Sequence, residues 1–152
     1  TASVLQDTTR SGTASSMRRQ LGFQRPAGGK TGTTDGYQDA WFVGYSSGLT
    51  CVVWVGHDQP KPIVEGGYGA DLALPIWVKV MKTADRLGRY EFSRFTPPVQ
   101  MKTVRLCRSS GKHATTGCEK AKTAYDDPIP IDLEPHATDF CPKHPIRAIP
   151  VE

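Results

Sequence analysis

The chain has 152 residues, 38% of them hydrophobic and 22% charged, an ordinary globular composition with room for one domain and an appendage. A net charge of +4, from 19 basic and 15 acidic residues spread along the chain, is too small and too dispersed for a nucleic-acid footprint. No stretch approaches the ~20 apolar residues of a membrane span. The sequence opens on TASVLQDTTR rather than Met and reads as the middle of a longer polypeptide.

Ser3 to Arg10 is predicted to be a helix, since Ser3 and Gln6 have capping-box spacing, and Gly12 breaks it. A second helical stretch puts Ala14, Met17 and Leu21 on one face and Arg18 and Arg19 on the other, with Gly22 as its C-terminal cap. The period then falls from 3.6 to 2. Three runs follow, AGGKTGTT, YQDAWFVGY and LTCVVWVG, joined by turn signals at Asp35-Gly36 and Ser46-Ser47-Gly48. They imply an antiparallel meander. Trp41, Val43 and Tyr45 oppose Ala40 and Phe42, while Leu49, Cys51, Val53 and Val55 oppose Val52 and Trp54. Both faces are apolar, so helices are expected to cover the sheet on both sides.

A glycine-rich connection, EGGYGADLAL, leads into a strong helix with Pro75 in its first turn. Ile76, Val80 and Leu87 form one stripe, Trp77, Met81 and Ala84 lie beside it, and Gly88 ends it. From Pro97-Pro98 onward the texture changes, with eight of the twelve prolines and three of the four cysteines in residues 97–152. Apart from a strand at Val99 to Cys107, this part is expected to be loop-rich. The predicted division is therefore 1–96 and 97–152.

Gly29-Lys30-Thr31 could end a phosphate-cradling loop of the form Gly-x-x-x-x-Gly-Lys-Thr. The first glycine would then be residue 24, which is Gln24, and Pro26 would sit inside the loop. Gly32 and Gly36 follow where the lysine should open a helix. Three requirements fail together, against nucleotide binding. The same residues suit an acyl-transfer strand. Lys30 supplies a positive field, the Thr31 and Thr33 hydroxyls can bind a carboxylate, and Gly32 lets a substrate backbone approach. An N–H just past the glycine can stabilise an oxyanion. The bland alternative is an edge strand with a solubilising lysine and a tight turn.

PAGGKTGTTDGYQDAWFVGYSSGLTCVVWVGHD resembles the penicillin-binding transpeptidase domain of bifunctional (class A) penicillin-binding proteins. RSGTA at Arg10 to Ala14 and GGYGADLALPIW at Gly66 to Trp77 are similar to that family too. CRSSGKHATTGC and FCPKH resemble C-terminal extensions of some members. The resemblance implies a serine acyl transferase that crosslinks peptidoglycan stem peptides and is trapped by β-lactams. Its fold would be α+β, an antiparallel sheet flanked by helices of the β-lactamase/transpeptidase type, here the C-terminal portion only. Lys30 and the Thr33 N–H would be catalytic, and Thr31, Gly32, Thr33 and Thr34 would bind substrate. Asp39 and Trp41 look structural. No cofactor is implied. The location would be the outer, periplasmic side of the cytoplasmic membrane, with the anchor upstream.

The nucleophile is not among these residues. In the family the Ser-x-x-Lys and Ser-x-Asn motifs precede the Lys-Thr-Gly strand, and the 29 residues before Lys30 hold neither. Ser109-Ser110-Gly111-Lys112 has the count but carries a glycine and follows the third motif. The chain alone is therefore expected to be inactive and to need the preceding part of the same domain as partner. The family sheet has five strands, so the third strand would expose a second edge, inviting self-association. A non-catalytic peptide-binding module is the competing reading.

Cys51 lies mid-strand between apolar neighbours and reads as a buried, inert thiol. Cys107, Cys118, Cys141 and His144 are weak metal candidates in a Cys-x10-Cys, Cys-x2-His arrangement. A disulfide, a zinc site and free thiols all remain open for them. Asp126-Asp127 before Pro128 reads as turn polarity, and His113 and His136 have no identifiable partners in the sequence.

Overall fold

The computed structural model of the chain describes residues 2–97 and 99–150, with the side chain of Ser3, and hence its capping box, outside the described residues. The chain divides into two compact units, Thr1–Phe95 and Thr96–Glu152.

The first unit carries helix α1 (Ala2–Arg10), a single turn α2 (Ser16–Arg19), strands β1 (Gly28–Thr33), β2 (Asp39–Tyr45) and β3 (Thr50–Gly56), and helix α3 (Gly69–Leu87). The strands form an antiparallel meander in the order β1-β2-β3, with Lys30 opposite Val43, Gly32 opposite Trp41, and Phe42 opposite Val53. The turn between β1 and β2 requires Gly36, whose φ is +70°. Thr8 and Thr9 of α1 donate their hydroxyls to the carbonyls of Gly29 and Ala27, at 2.5 and 3.1 Å, and so dock the first helix on the start of β1.

Alternation decides which strand residues are buried. Ala40, Phe42 and Val53 turn inward, and Phe42 and Val53 meet Leu74, Trp77, Val78 and Met81 of α3, together with Met17 and Phe23. Trp77 is the centre. Phe42 and Phe23 pack on it edge-to-face, with ring centroids at 5.2 and 5.7 Å, and its Nε1 donates to the Cys51 carbonyl at 3.1 Å. Burying an aromatic side chain of this size stabilises by about 3 kcal/mol or more, and its N–H is satisfied. Gly44 is small because a Cβ there would lie 2.7 Å from the Trp77 ring.

Two expectations about this unit change, and a third point is settled. Pro75 lies inside α3 rather than in its first turn, because the helix already begins at Gly69. It begins there because Gly69 packs directly on the sheet, where a Cβ would come within 2.7 Å of the Gly32 carbonyl. Pro75 then leaves the Asp71 carbonyl without its usual helical donor. Of the two α3 stripes, Trp77, Met81 and Ala84 are buried, while Ile76, Val80 and Leu87 are exposed. The sheet is also covered on one face only. Trp41, Val43, Val52 and Trp54 are 40, 44, 53 and 44% exposed, since α2 and α3 share one core with Phe42 and Val53 and leave the opposite face bare. As expected, Gly88 stops α3 in the left-handed region, with φ of +65°.

The second unit pairs β4 (Met101–Cys107) with β5 (Ala124–Pro130) in an antiparallel ribbon, and a short helix α4 (Thr116–Lys120) lies between them in sequence. The unit is more regular than expected. β5 escapes a periodicity search because it contains Pro128 and Pro130, which a two-stranded ribbon tolerates at its outer side. Asp126-Asp127 belongs to this strand, not to a turn, and Asp126 pairs with Arg105 at 3.1 Å. The buried hydrophobic cluster here is small, comprising Cys107, Ala114, Cys118 and Cys141. His113 and His136 do have partners, the Pro135 carbonyl at 3.0 Å and the Thr138 hydroxyl at 2.9 Å.

No helix among the described residues is long and apolar enough to cross a membrane.

Candidate functional site

Lys30 to Thr33 is extended and lies on the sheet's first edge, with Lys30 and Thr33 exposed and Thr31 and Gly32 half-buried. The strand's twofold period sends Lys30 and Gly32 to the open face and Thr31 and Thr33 to the helix face. Among the described residues Lys30 has no carboxylate partner. Its Nζ donates to the Thr31 carbonyl at 2.7 Å and lies 3.4 Å from the Thr31 hydroxyl. The Thr31 hydroxyl also meets Thr13 at 3.0 Å, and Thr13 follows Gly12, where a Cβ would lie 2.7 Å from Thr8 Cα. That close approach of the RSGTA loop to α1 brings Thr13 to the strand.

Thr33 Oγ1 accepts the Gly69 N–H at 3.0 Å, so the first residue of α3 fixes the hydroxyl while its own proton stays available. Thr34 is used differently. Its hydroxyl accepts the Asp39 N–H at 2.9 Å and donates to Asp39 Oδ2 at 3.1 Å, which occupies it within the turn. Asp39 Oδ1 in turn accepts from Trp54 Nε1 at 2.8 Å. One carboxylate thus braces the turn after β1 and the far strand. Nothing in the sequence marks Gly69 as the partner of Thr33, since 36 residues separate them.

A Cβ on Gly32 would lie 3.3 Å from the Cβ of Trp41, its cross-strand partner on the open face, so a side chain there would crowd that neighbour. The Ser109-x-x-Lys112 pair sits in a turn, not on a helix. Lys112 bonds Asp139 and does not face Ser109, whose carbonyl accepts Lys143 Nζ at 2.7 Å. A groove of about 650 Å³ in the first unit is lined by residues 22–25 and by Lys79, Lys82, Thr83, Asp85 and Arg86 of α3, with no residue of β1.

The second cluster is in the other unit. Cys107 ends β4, Cys118 lies in α4, and Cys141 and His144 share a C-terminal turn. The three sulfurs and one ring nitrogen all lie within 4.8 Å of one another. Sγ of Cys107, Cys118 and Cys141 stand 3.6, 3.7 and 3.4 Å from the same His144 Nδ1. All three cysteines are buried, none is in a disulfide, and His144 is half-buried. Burial pushes the Cys107 thiol up, but hydrogen bonds from Thr123, the Ser109 amide and its neighbours more than offset this and hold it at about 5. Cys141 follows the same pattern, its burial outweighed by Ser110 and His144. Burial raises Cys118 despite the Thr115 hydrogen bonds, and the adjoining Cys141 and Cys107 raise His144.

Comparison with known proteins gives a consistent result. No protein-family model matches the chain. Penicillin-binding protein 1A of Pseudomonas aeruginosa is 38% identical over 116 residues, and that of Aquifex aeolicus is 44% identical over 121 residues. These matches cover 76 and 80% of this chain but only 14 and 16% of those relatives. The crystal structure of penicillin-binding protein 1A from Haemophilus influenzae aligns with 82% of this chain and 17% of its own, at a TM-score of 0.64 and 26% identity. The α+β fold with antiparallel strands is thus shared.

Proposed function

We propose that this chain, a homologue of one short stretch of penicillin-binding protein 1A and consistent with part of its transpeptidase domain, supplies one wall of a peptidoglycan-crosslinking site. The parent enzyme would be a serine-type DD-transpeptidase. Its nucleophile attacks the terminal D-Ala-D-Ala amide of a donor stem peptide, D-Ala leaves, and the amine of a second stem peptide resolves the acyl-enzyme. In this reading β1 is the substrate-facing edge. Lys30 provides the cationic field. Thr31 and the free hydroxyl proton of Thr33 meet the donor's terminal carboxylate, and the Thr33 N–H polarises the carbonyl as it becomes an oxyanion. Thr34, its hydroxyl occupied by Asp39, holds the turn behind them.

The observation that carries the reading is the state of Lys30. A lysine on an exposed sheet edge, with no carboxylate partner among the described residues and its Nζ beside the Thr31 hydroxyl, is arranged to receive an anion. A merely solubilising lysine has no reason to fold back over Thr31, on a strand whose Thr33 is anchored to a helix start.

The rest of the domain would bring the serine. It would also cover Trp41, Val43, Val52 and Trp54 and pair with the open edge of β3; left bare, these favour self-association of the isolated chain. Parent partners are then stem peptides and β-lactams, at the periplasmic face of the cytoplasmic membrane. The test uses the full-length protein that contains this sequence. Lys30→Ala should slow acylation by a fluorescent penicillin about 100-fold or more, at unchanged folding. An unchanged rate would remove Lys30 from the site. Full-length protein that binds D-Ala-D-Ala peptides yet never labels would favour the binding-module reading.

A further inference from the structure

We propose that Cys107, Cys118, Cys141 and His144 bind one zinc ion in a closed tetrahedral site, and that this ion is what holds the C-terminal unit together. The four residues come from the end of a strand, a short helix and a C-terminal turn, so their meeting is a property of the fold, not of local sequence. Their spacing fits an ion at the centre. With Zn–S near 2.3 Å and Zn–N near 2.0–2.1 Å, a regular tetrahedron has sulfur-to-nitrogen edges of about 3.5 Å. The three measured separations from His144 Nδ1 are 3.6, 3.7 and 3.4 Å.

Hydrogen bonding does not explain the arrangement. Nδ1 has one lone pair or one proton, so it can serve one sulfur, not three at once. A disulfide does not explain it either. Any pairing would consume two sulfurs and leave the third, with the imidazole, facing the bridge. Coordination uses all four.

The surroundings support a structural ion. Thr115 donates its N–H to Cys118 Sγ at 3.3 Å, and its hydroxyl lies 3.4 Å from the same sulfur and bonds the His144 carbonyl. One residue thereby positions two ligands. The amide of Gly111, in the left-handed region at φ +70°, bonds back to the Cys107 carbonyl at 2.8 Å and closes the turn beyond the first ligand. The buried hydrophobic cluster of this unit is those three cysteines plus Ala114, with Ala124 and Ile149 partly buried against it. Units this small need a staple, since such a core cannot offset the entropy of ordering the chain. Three thiolates and an imidazole select zinc over harder cations, and four protein ligands leave no open position for catalysis. In the loaded site three thiolates and a neutral imidazole hold one Zn²⁺, whatever protons these groups carried having been released, which leaves the centre at a net charge of minus one and moves no electrons.

The experiment is metal analysis of the full chain, purified without chelator, with a thiol count on the same sample. One zinc per chain is expected, with three of the four thiols slow to react until the metal is displaced. Exchange for Co²⁺ should give the intense visible bands and sulfur-to-metal charge transfer of a tetrahedral thiolate site. Cys118→Ser and His144→Ala should each lower zinc content at least tenfold, whereas Cys51→Ser and His136→Ala should retain it. Should the ligand variants fail to fold, the unsubstituted chain still decides. Zinc-free protein missing two titratable thiols, or a Co²⁺ spectrum typical of octahedral oxygen ligation, would overturn the proposal.

Discussion

Residues 1–95 close around an indole, and residues 96–152 close around four ligand atoms. In the first unit Trp77 touches aromatic neighbours from two other segments, and Met17, Leu74, Val78 and Met81 complete an apolar interior. In the second unit the packed buried cluster holds no side chain larger than cysteine, and Val104 and Leu106 of β4 are buried outside it. One interior is built by area removed from water, the other by coordination. The difference matters for function, because the proposed substrate strand belongs to the unit whose stability does not depend on a metal.

The largest effect that could break this contrast is metal removal. A strong chelator added to the full chain should abolish amide-exchange protection in β4, β5 and α4 while β1, β2, β3 and α3 keep theirs, since zinc binding in such small units is worth roughly 10–16 kcal/mol. Protection lost in both units, or in neither, would erase the distinction. Next, Trp77→Ala should destabilise the first unit by about 3–5 kcal/mol in denaturant unfolding while leaving zinc content unchanged. A cost below about 1 kcal/mol would mean that the indole is not the centre of that core. Gly44→Ala should be milder, about 1–3 kcal/mol, since its methyl group would press on Trp77 and Phe42. Pairing it with a smaller residue at 77 should recover part of the loss, a coupling readable in a double-mutant cycle.

What could be read from the sequence follows the same divide. β2 and β3 announce themselves because their apolar residues alternate, β1 only because Pro26 and the Asp35-Gly36 turn bound it, and α3 because its apolar stripes end at Gly88. The proposed substrate strand is legible as Lys30-Thr31-Gly32-Thr33 in a run bounded by turns. Periodicity could not say which apolar face would be covered. Trp41 and Trp54 look as buried in sequence as Phe42, and only the placement of the helices separates them. It also hid the true start of α3, since the proline at 75 is a stronger local signal than the close packing of Gly69 on the sheet. In the second unit the sequence showed four potential ligands but one ligand-like spacing, Cys141 to His144. Cys107 and Cys118 join them only through the ribbon and the Thr115-capped helix, contacts that no local pattern encodes. The prolines of β5 masked a strand in the same way.

The division of labour in the proposed enzyme is tested most directly by labelling the 152-residue chain alone with a fluorescent penicillin, beside the full-length protein that contains it. This account expects a covalent band on the full-length protein and none on the chain, because Lys30 to Thr33 can hold and polarise a donor but carry no nucleophile. A stable, denaturation-resistant adduct on the chain itself would place an acylated serine within these residues and contradict the assignment.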